Sequence, residues 1–162
     1  MVNIRVGFGY DVHPLGEGRE LWLGGVKLEF DKGCVGHSDA DVLLHAICDA
    51  MLGALCLGDI GVHFPDTDNS FKNIDSKILL KKTFDLISDK NYQIVNIDST
   101  LCLQSPKIKP YVAKMQKAIA DILRIPITDI SIKATTTEHM GFVGREEGLV
   151  AYATVLLQKN NL

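Results

Sequence analysis

The stretch GYDVHP (9–14) sets an aspartate and a histidine two residues apart, directly after an apolar run and directly before a proline. Residues i and i+2 of an extended strand share a face, so Asp11 and His13 project together if the strand continues through Val12. Farther on, Asp41, His45 and Asp49 recur at steps of four within an apolar stretch, which places them along one side of a helix. Asp11, His13 and His45 would then supply one carboxylate and two imidazoles, the ligand set of an open zinc site that keeps a fourth position for water or substrate. A D-x-H pair and a helix histidine are as readily hydrogen-bonded structural residues, so spacing leaves both readings open. Asp49, one turn beyond His45, fits either an outer carboxylate that fixes the imidazole tautomer or a solvated charge.

Other stretches carry weaker signals. GHSDAD (36–41) sets a glycine, a histidine and a serine at a helix start, where free backbone N–H groups favour phosphate oxygens. Asp39 and Asp41 oppose an anion there unless a metal supplies positive charge, and an N-cap at Ser38 with a capping-box-like Asp41 explains the pattern without a ligand. LGDIGVHFPDTD (57–68) holds Asp59 and Asp66 around a glycine and a proline, and loop carboxylates are commonly just solvated. KATTTEHMGFVGRE (133–146) offers three threonine hydroxyls, Glu138 and Arg145, a set that suits a phosphate chain and a Mg²⁺-type ion. A strand ending in a helix cap at Thr136 or Thr137 is the alternative.

The elements that must position these groups follow from periodicity. Residues 4–10 and 20–30 read as strands, the second broken by Gly24 and Gly25. From Asp39 to Leu57 apolar residues follow helical spacing, with Ser38 as N-cap and Gly58 as stop. Residues 61–74 lack periodicity and read as a long loop. A second helix is predicted over 75–89, a strand over 92–104, a third helix over 110–123, and strands over 130–134 and 149–157. Strands alternating with helices give an α/β class, a mixed sheet with helices on one side.

Composition removes several function classes. A chain of 162 residues fits one domain that buries about 68–70% of its unfolded surface. Its net charge of −3, with 17 Lys and Arg scattered along the sequence, does not provide the basic stripe that nucleic-acid binding needs. No apolar run reaches membrane-span length and no secretory leader opens the chain, so a soluble protein with a small-molecule partner is expected. Cys34, Cys48, Cys56 and Cys102 form no C-x-x-C pair, and Cys48 and Cys56 fall within the apolar helical stretch, as buried thiols of a reducing compartment would.

Taken in order, DVH (11–13), HSDADV (37–42) with His45, GDIG (58–61), FPDTD (64–68), SPK (105–107) and ATTTEHMGF (134–142) with Gly144 and Arg145 closely resemble the 2-C-methyl-D-erythritol 2,4-cyclodiphosphate synthases of the non-mevalonate isoprenoid pathway. The resemblance spans residues 4 to about 157. Gly36 and Ser105 stand where alanine is expected. The resemblance implies a single α/β domain over 1–162 and a homotrimer, its sheets packed around a threefold axis and its active sites between subunits. It implies closure of 4-diphosphocytidyl-2-C-methyl-D-erythritol 2-phosphate to the cyclic diphosphate with loss of CMP, by a phosphorus–oxygen lyase that needs no protein nucleophile. Asp11, His13 and His45 match zinc ligands, and Glu138 a ligand of a second divalent ion, Mg²⁺ or Mn²⁺. His37 and Thr136 match transition-state stabilisers, and His37 and Ser38 match groups near the diphosphate.

Substrate contacts are implied at Val12, at Asp59, Ile60 and Gly61, and at Phe64, Pro65, Asp66, Thr67 and Asp68. The cytidine and phosphate sites are implied at Leu103, Gln104, Ser105, Pro106, Lys107, Ile108 and Lys109, and at Thr135, Thr136, Thr137 and Glu138 with Phe142 and Arg145. A cytoplasmic bacterial protein is expected, or a plastid-type one if a transit segment was removed, with the 61–74 loop as lid. Two rivals share these residues: a zinc phosphohydrolase, and a non-catalytic trimer binding isoprenoid diphosphates along its axis.

Overall fold

The structure, a computed structural model, describes residues 3–160 without Asp66 and Lys72. Strand β1 (Ile4–Glu17) continues well past the predicted strand and carries Asp11 and His13 in mid-strand. Its two faces differ sharply. Ile4, Val6, Phe8, Tyr10 and Val12 alternate on one side, and Gly7, Gly9, Asp11 and His13 on the other. β1 pairs antiparallel with β7 (Gly148–Lys159), from Ile4 opposite Gln158 to Pro14 opposite Gly148. A short strand that periodicity did not reveal, β4 (Lys32–Cys34), pairs with its far end. β7 in turn pairs antiparallel with β5 (Tyr92–Cys102), and β5 pairs parallel with β6 (Ile130–Thr135). The five-stranded order is β4-β1-β7-β5-β6, a mixed sheet as expected.

Helix α1 (Val42–Ala54) is apolar nearly all round, and eleven of its residues, His45 among them, are buried between the sheet and α3 (Ser76–Asp89). Full burial of Leu43, Leu44, Ile47 and Met51 contributes about 1.5–3 kcal/mol each. The helix seats on β1 backbone to backbone. A Cβ on Gly7 would lie 1.8 Å from the Ala50 carbonyl oxygen, and one on Gly9 1.9 Å from that of Ala46.

The helix begins later than its periodicity suggests, and Ser38 is not its cap. Asp41 is the N-cap, accepting from Leu44 N at 3.1 Å. Its buried carboxylate also accepts from Gly24 N at 2.9 Å and Gly25 N at 2.7 Å, in the turn joining β2 (Leu21–Leu23) to β3 (Val26–Leu28). Both turn residues have positive φ, 59° and 74°, which glycine adopts without strain. Of the amides that could have met a phosphate, those of Asp39, Ala40, Asp41 and Leu44 are engaged by the Ile74 carbonyl, Ser38 Oγ, Asp39 Oδ1 and Asp41 Oδ1. At its other end the helix stops at Ala54, short of Gly58.

Helices α3 and α4 (Val112–Leu123) complete the layer with Leu79, Leu80 and Ile87, and with Met115, Ile119 and Leu123, turned inward. The third helix thus starts just after Pro110, which sits in a 3₁₀ turn. The predicted loop holds a four-residue helix, α2 (Ile60–His63), and a 3₁₀ turn at Asn69–Phe71. Cys34 and Cys48 are buried free thiols, whereas Cys56 falls beyond α1 and is exposed, contrary to expectation. No helix among the described residues is long and apolar enough to cross a membrane.

Among the described residues no element covers the other face of β1. Val6 is 68% exposed and Phe8 65%, and Tyr152 of β7 lies beside them, its ring centroid 6.2 Å from that of Phe8 and 5.3 Å from that of Tyr10. An apolar sheet face left in water is the usual mark of an interaction surface.

Candidate metal centre and active site

The contact of α1 with β1 brings His45 over Asp11 and His13. Asp11 Oδ2 lies 3.0 Å from His45 Nδ1 and 3.1 Å from His13 Nε2, and the two imidazole nitrogens are 3.2 Å apart. Three donor atoms on one tetrahedral ion, with bonds of about 2.0–2.1 Å, would be separated by roughly 3.3 Å, close to this triangle. The outer nitrogens decide whether the inner ones are free to ligate. His13 Nδ1 lies 3.1 Å from the Val35 carbonyl oxygen, an acceptor only, so Nδ1 carries the proton and Nε2 presents its lone pair inward. His45 Nε2 lies 2.9 Å from Ser76 Oγ and 3.2 Å from Ser38 Oγ. The donor set fits a divalent transition metal with an open coordination position.

Electrostatics agree. Partial burial alone would raise the Asp11 carboxyl, but hydrogen bonds and charge from His13 and His45 outweigh it and hold the pKa at about 2. Burial would lower His13, yet Asp11 raises it above the ordinary 6.5. Cys34 is no competitor for a metal: burial and the charges of Asp41, Asp11 and Asp39 push its thiol well above the ordinary range. Asp49 is not a hydrogen-bond partner of His45. It accepts from Ile60 N at 2.8 Å, and Asp59 caps the same short helix by accepting from Val62 N at 3.1 Å. Burial raises the Asp49 carboxyl above its ordinary value.

These carboxylates fix α2, which carries Ile60, Gly61 and Phe64 to a cavity of about 270 Å³ over the donor triangle. Asp11, His13, Gly36, His37, Ser38 and His45 line it, joined by Phe71, Ile74 and Leu79, which sequence spacing did not single out. Large apolar residues in an otherwise polar loop were the available signal for Phe71 and Ile74. The rings of Phe64 and Phe71 meet edge to face at 5.5 Å. Val12 points to the open sheet face, so only its backbone can reach the cavity. Pro65, Thr67 and Asp68 are exposed beside α2, and Asp66 lies outside the described residues.

The remaining predicted residues form a second cluster. Leu103 N donates to the Thr135 carbonyl at 3.0 Å, and His139 N donates to Gln104 Oε1 at 3.3 Å, joining 103–109 to the end of β6. Thr136 Oγ1 donates to Glu138 Oε1 at 2.9 Å, and Glu138 and His139 both take positive φ, 52° and 61°, a strained arrangement for residues with side chains. Neither Thr136 nor Thr137 caps a helix: α5 (Gly141–Gly144) has Met140 before it, and Thr137 Oγ1 donates to the Met140 carbonyl at 2.7 Å. Leu103 and Ile108 are buried in the core, leaving their backbones to face a ligand. Ser105 and Pro106 are half-buried, and Lys107 and Lys109 exposed. Arg145 pairs with Glu147 through two bonds of 2.8 and 3.0 Å, not with Glu138.

Within one chain the clusters are far apart. Asp11 is opposite Ala151 on β7, Ala151 opposite Leu101 on β5, and Leu101 opposite Ala134 on β6. Three strand spacings amount to about 14 Å.

Residues 4–158 match the model of the YgbB family. The chain belongs to that family. The 2-C-methyl-D-erythritol 2,4-cyclodiphosphate synthase of Bacteroides thetaiotaomicron is 62% identical over 98% of this chain and 100% of its own length. Among solved structures, the bifunctional IspDF from Campylobacter jejuni superimposes with a TM-score of 0.96 at 44% identity, over 99% of this chain and 44% of that longer one. IspF of Plasmodium falciparum in complex with CDP gives 0.86 at 37% identity over 98% of both chains.

Proposed function

We propose that this chain is a 2-C-methyl-D-erythritol 2,4-cyclodiphosphate synthase, converting 4-diphosphocytidyl-2-C-methyl-D-erythritol 2-phosphate to the 2,4-cyclodiphosphate and CMP as a single-domain cytoplasmic enzyme. The observation that supports it most is the Asp11–His13–His45 triangle with the His13 outer nitrogen committed to a carbonyl. Those three residues would hold zinc. Glu138 with the Thr136 hydroxyl would serve a Mg²⁺ or Mn²⁺ ion, which accepts one protein carboxylate when substrate phosphates supply the other oxygens. The bound cations supply charge neutralisation for two phosphoryl groups that repel each other.

The chain's own residues do the rest. An oxygen of the 2-phosphate bonds to the β-phosphorus, the bond from that phosphorus to the oxygen bridging the α-phosphorus breaks, and CMP leaves with the electron pair. His37 and Ser38, at the cavity wall, orient the diphosphate, and Thr136 donates toward the charge that builds on the transferred phosphoryl group. Asp59 to Gly61 and Phe64 to Asp68 enclose the methylerythritol unit, and the 61–74 segment closes over it, because water would compete with cyclisation. Leu103 to Lys109, Thr135, Thr137, Phe142 and Arg145 hold the cytidine and its phosphates.

A cavity of 270 Å³ is too small for a whole nucleotide-linked substrate. The second cluster, about 14 Å away across the sheet, serves the site of a neighbouring subunit. A homotrimer built on the open faces of β1 and β7 brings the two parts together and covers Val6, Phe8 and Tyr152. Purified protein incubated with the substrate, zinc and Mg²⁺ and followed by ³¹P NMR should release CMP and a cyclic diphosphate with two coupled phosphorus signals. A linear phosphate product would identify a phosphohydrolase instead.

A further inference from the structure

Ser76 and Asp39 belong to no predicted substrate contact, yet with Ser38, whose Oγ lies 3.2 Å from His45 Nε2, they pack behind the metal centre. Ser76, the first residue of α3, is fully buried, and its hydroxyl faces His45 Nε2 at 2.9 Å. The same hydroxyl donates to Asp39 Oδ1, and the Ser76 backbone N–H donates to Asp39 Oδ2 at 3.1 Å. A serine hydroxyl has one proton. With that proton on Asp39, Ser76 Oγ can only accept from His45, so Nε2 carries a proton and Nδ1, 3.0 Å from Asp11 Oδ2, is left to share an ion with Asp11 and His13. In the opposite polarity, the carboxylate oxygen would face hydroxyl lone pairs at hydrogen-bond distance, which is repulsive.

We propose that Asp39 and Ser76 are positioning residues that set the tautomer of His45 through the chain His45 Nε2–H to Ser76 Oγ–H to the Asp39 carboxylate, and so hold Nδ1 ready as a zinc ligand. This rests on the zinc reading of the Asp11–His13–His45 site. Two backbone bonds clip the same segments together: Asp39 N donates to the Ile74 carbonyl at 3.1 Å, and Asn73 N to that of His37 at 2.6 Å. The carboxylate that orients the ligand is thereby fixed to the end of the 61–74 segment and to the segment bearing His37.

The decisive variant is Asp39→Asn, a near-isosteric change. Asp39 Oδ2 accepts from Ser76 N and Oδ1 accepts from both Ser76 Oγ and Asp41 N, so either orientation of the new amide sets its NH₂ against a backbone N–H and removes the carboxylate charge behind Ser76. The Ser76 hydroxyl is then no longer held by a carboxylate and can turn its proton to His45 Nε2 or to Ser38 Oγ, so the acceptor that fixed the imidazole is weakened. Outer hydrogen-bond partners of metal-bound histidines typically govern 10–100-fold in affinity, and a loss in that range is expected for Asp39→Asn and for Ser76→Ala.

The experiment pairs chelator competition for zinc with long-range ¹H–¹⁵N spectra of the imidazoles in the zinc-loaded full chain. Wild-type protein should bind one zinc per chain and show His45 with a slowly exchanging proton on Nε2. Asp39→Asn should bind 10–100-fold more weakly and, loaded at excess zinc, show that proton exchanging with solvent at least tenfold faster, with a melting temperature near that of wild type. A zinc-loaded wild-type spectrum with the His45 proton on Nδ1 overturns the proposal without any variant. Zinc affinity within twofold of wild type in Asp39→Asn or Ser76→Ala overturns it while leaving the zinc site standing. Absence of stoichiometric zinc from the wild-type protein overturns the metal reading itself, and this proposal with it.

Discussion

Replacing Gly9 by alanine should disable the metal centre without touching a ligand. The new methyl would stand 1.9 Å from the Ala46 carbonyl oxygen and 2.7 Å from Ala50 N, both backbone atoms of α1. Contacts of a Cβ below 3.0 Å are essentially unknown, so strand and helix must separate by at least the difference of 3.0 and 1.9 Å, about 1.1 Å. Gly9 is two residues from Asp11 and Ala46 is adjacent to His45, so the displacement falls directly on the gap between the ligands. Metal sites hold their bond lengths within roughly 0.2 Å, several times less than this shift. Zinc affinity should fall by more than 100-fold, and overpacking should cost about 1–3 kcal/mol of stability. Chelator competition and thermal melting measure the two effects. Gly53→Ala is the matched control on the same helix: its Cβ meets only the Phe8 carbonyl oxygen at 3.9 Å, and helix propensity predicts a gain of roughly 0.8–1 kcal/mol. A Gly9→Ala protein that binds stoichiometric zinc at wild-type affinity would refute this account of how the helix places His45.

Three other perturbations probe separate parts of the site. In metal-free protein the Asp11 carboxyl is held at about 2, below the ordinary 3.8, so its stabilisation is complete above pH 3.8 and disappears as pH falls toward 2. His13 is raised above 6.5, so its contribution is complete below pH 6.5 and disappears as pH rises through the elevated value. The stability difference between wild type and Asp11→Asn, from melts across pH, should therefore be largest between about pH 4 and 6.5 and shrink on both sides; a flat difference would contradict it. Glu138→Gln should lower activity and raise the Mg²⁺ concentration needed for half-maximal rate, with zinc content unchanged by elemental analysis; loss of zinc as well would show Glu138 to be misassigned. Phe8→Glu puts a charge on the open sheet face, and sedimentation should show a smaller species with little activity and zinc still bound; an unchanged assembly would place the subunit interface elsewhere.

What could be read from sequence was whatever depends on local period and on paired residue types. Asp11 and His13 share a strand face because alternation is local, and His45 sits on a helix because α1 is apolar at helical spacing. The extent of β1 was hidden: Asp11, His13 and Pro14 interrupt its apolar run, and only pairing with β7, more than a hundred residues away, keeps it extended. The start of α1 was misplaced because Asp39 and Asp41 resemble first-turn acids, whereas Asp41 is fixed by amides of the Gly24–Gly25 turn, a partner no local pattern shows. Asp49 fitted either a tautomer-fixing group one turn from His45 or a solvated charge, but the structure gives it to Ile60 N and leaves the His45 outer nitrogen to Ser38 and to Ser76, a residue that in sequence is only another helix-start serine. Motif order likewise could not show that β7 and β5 lie between the metal centre and Thr135–Glu138, because strand order comes from long-range pairing.

The most direct test of the metal centre is X-ray absorption at the zinc edge on the purified protein, with metal content measured on the same sample. One zinc per chain is predicted, its nearest shell made of two imidazole nitrogens and one carboxylate oxygen at about 2.0–2.1 Å, plus a light-atom exchangeable ligand. Sulfur at about 2.3 Å, or a sample active with far less than one zinc per chain, would contradict an Asp11–His13–His45 site.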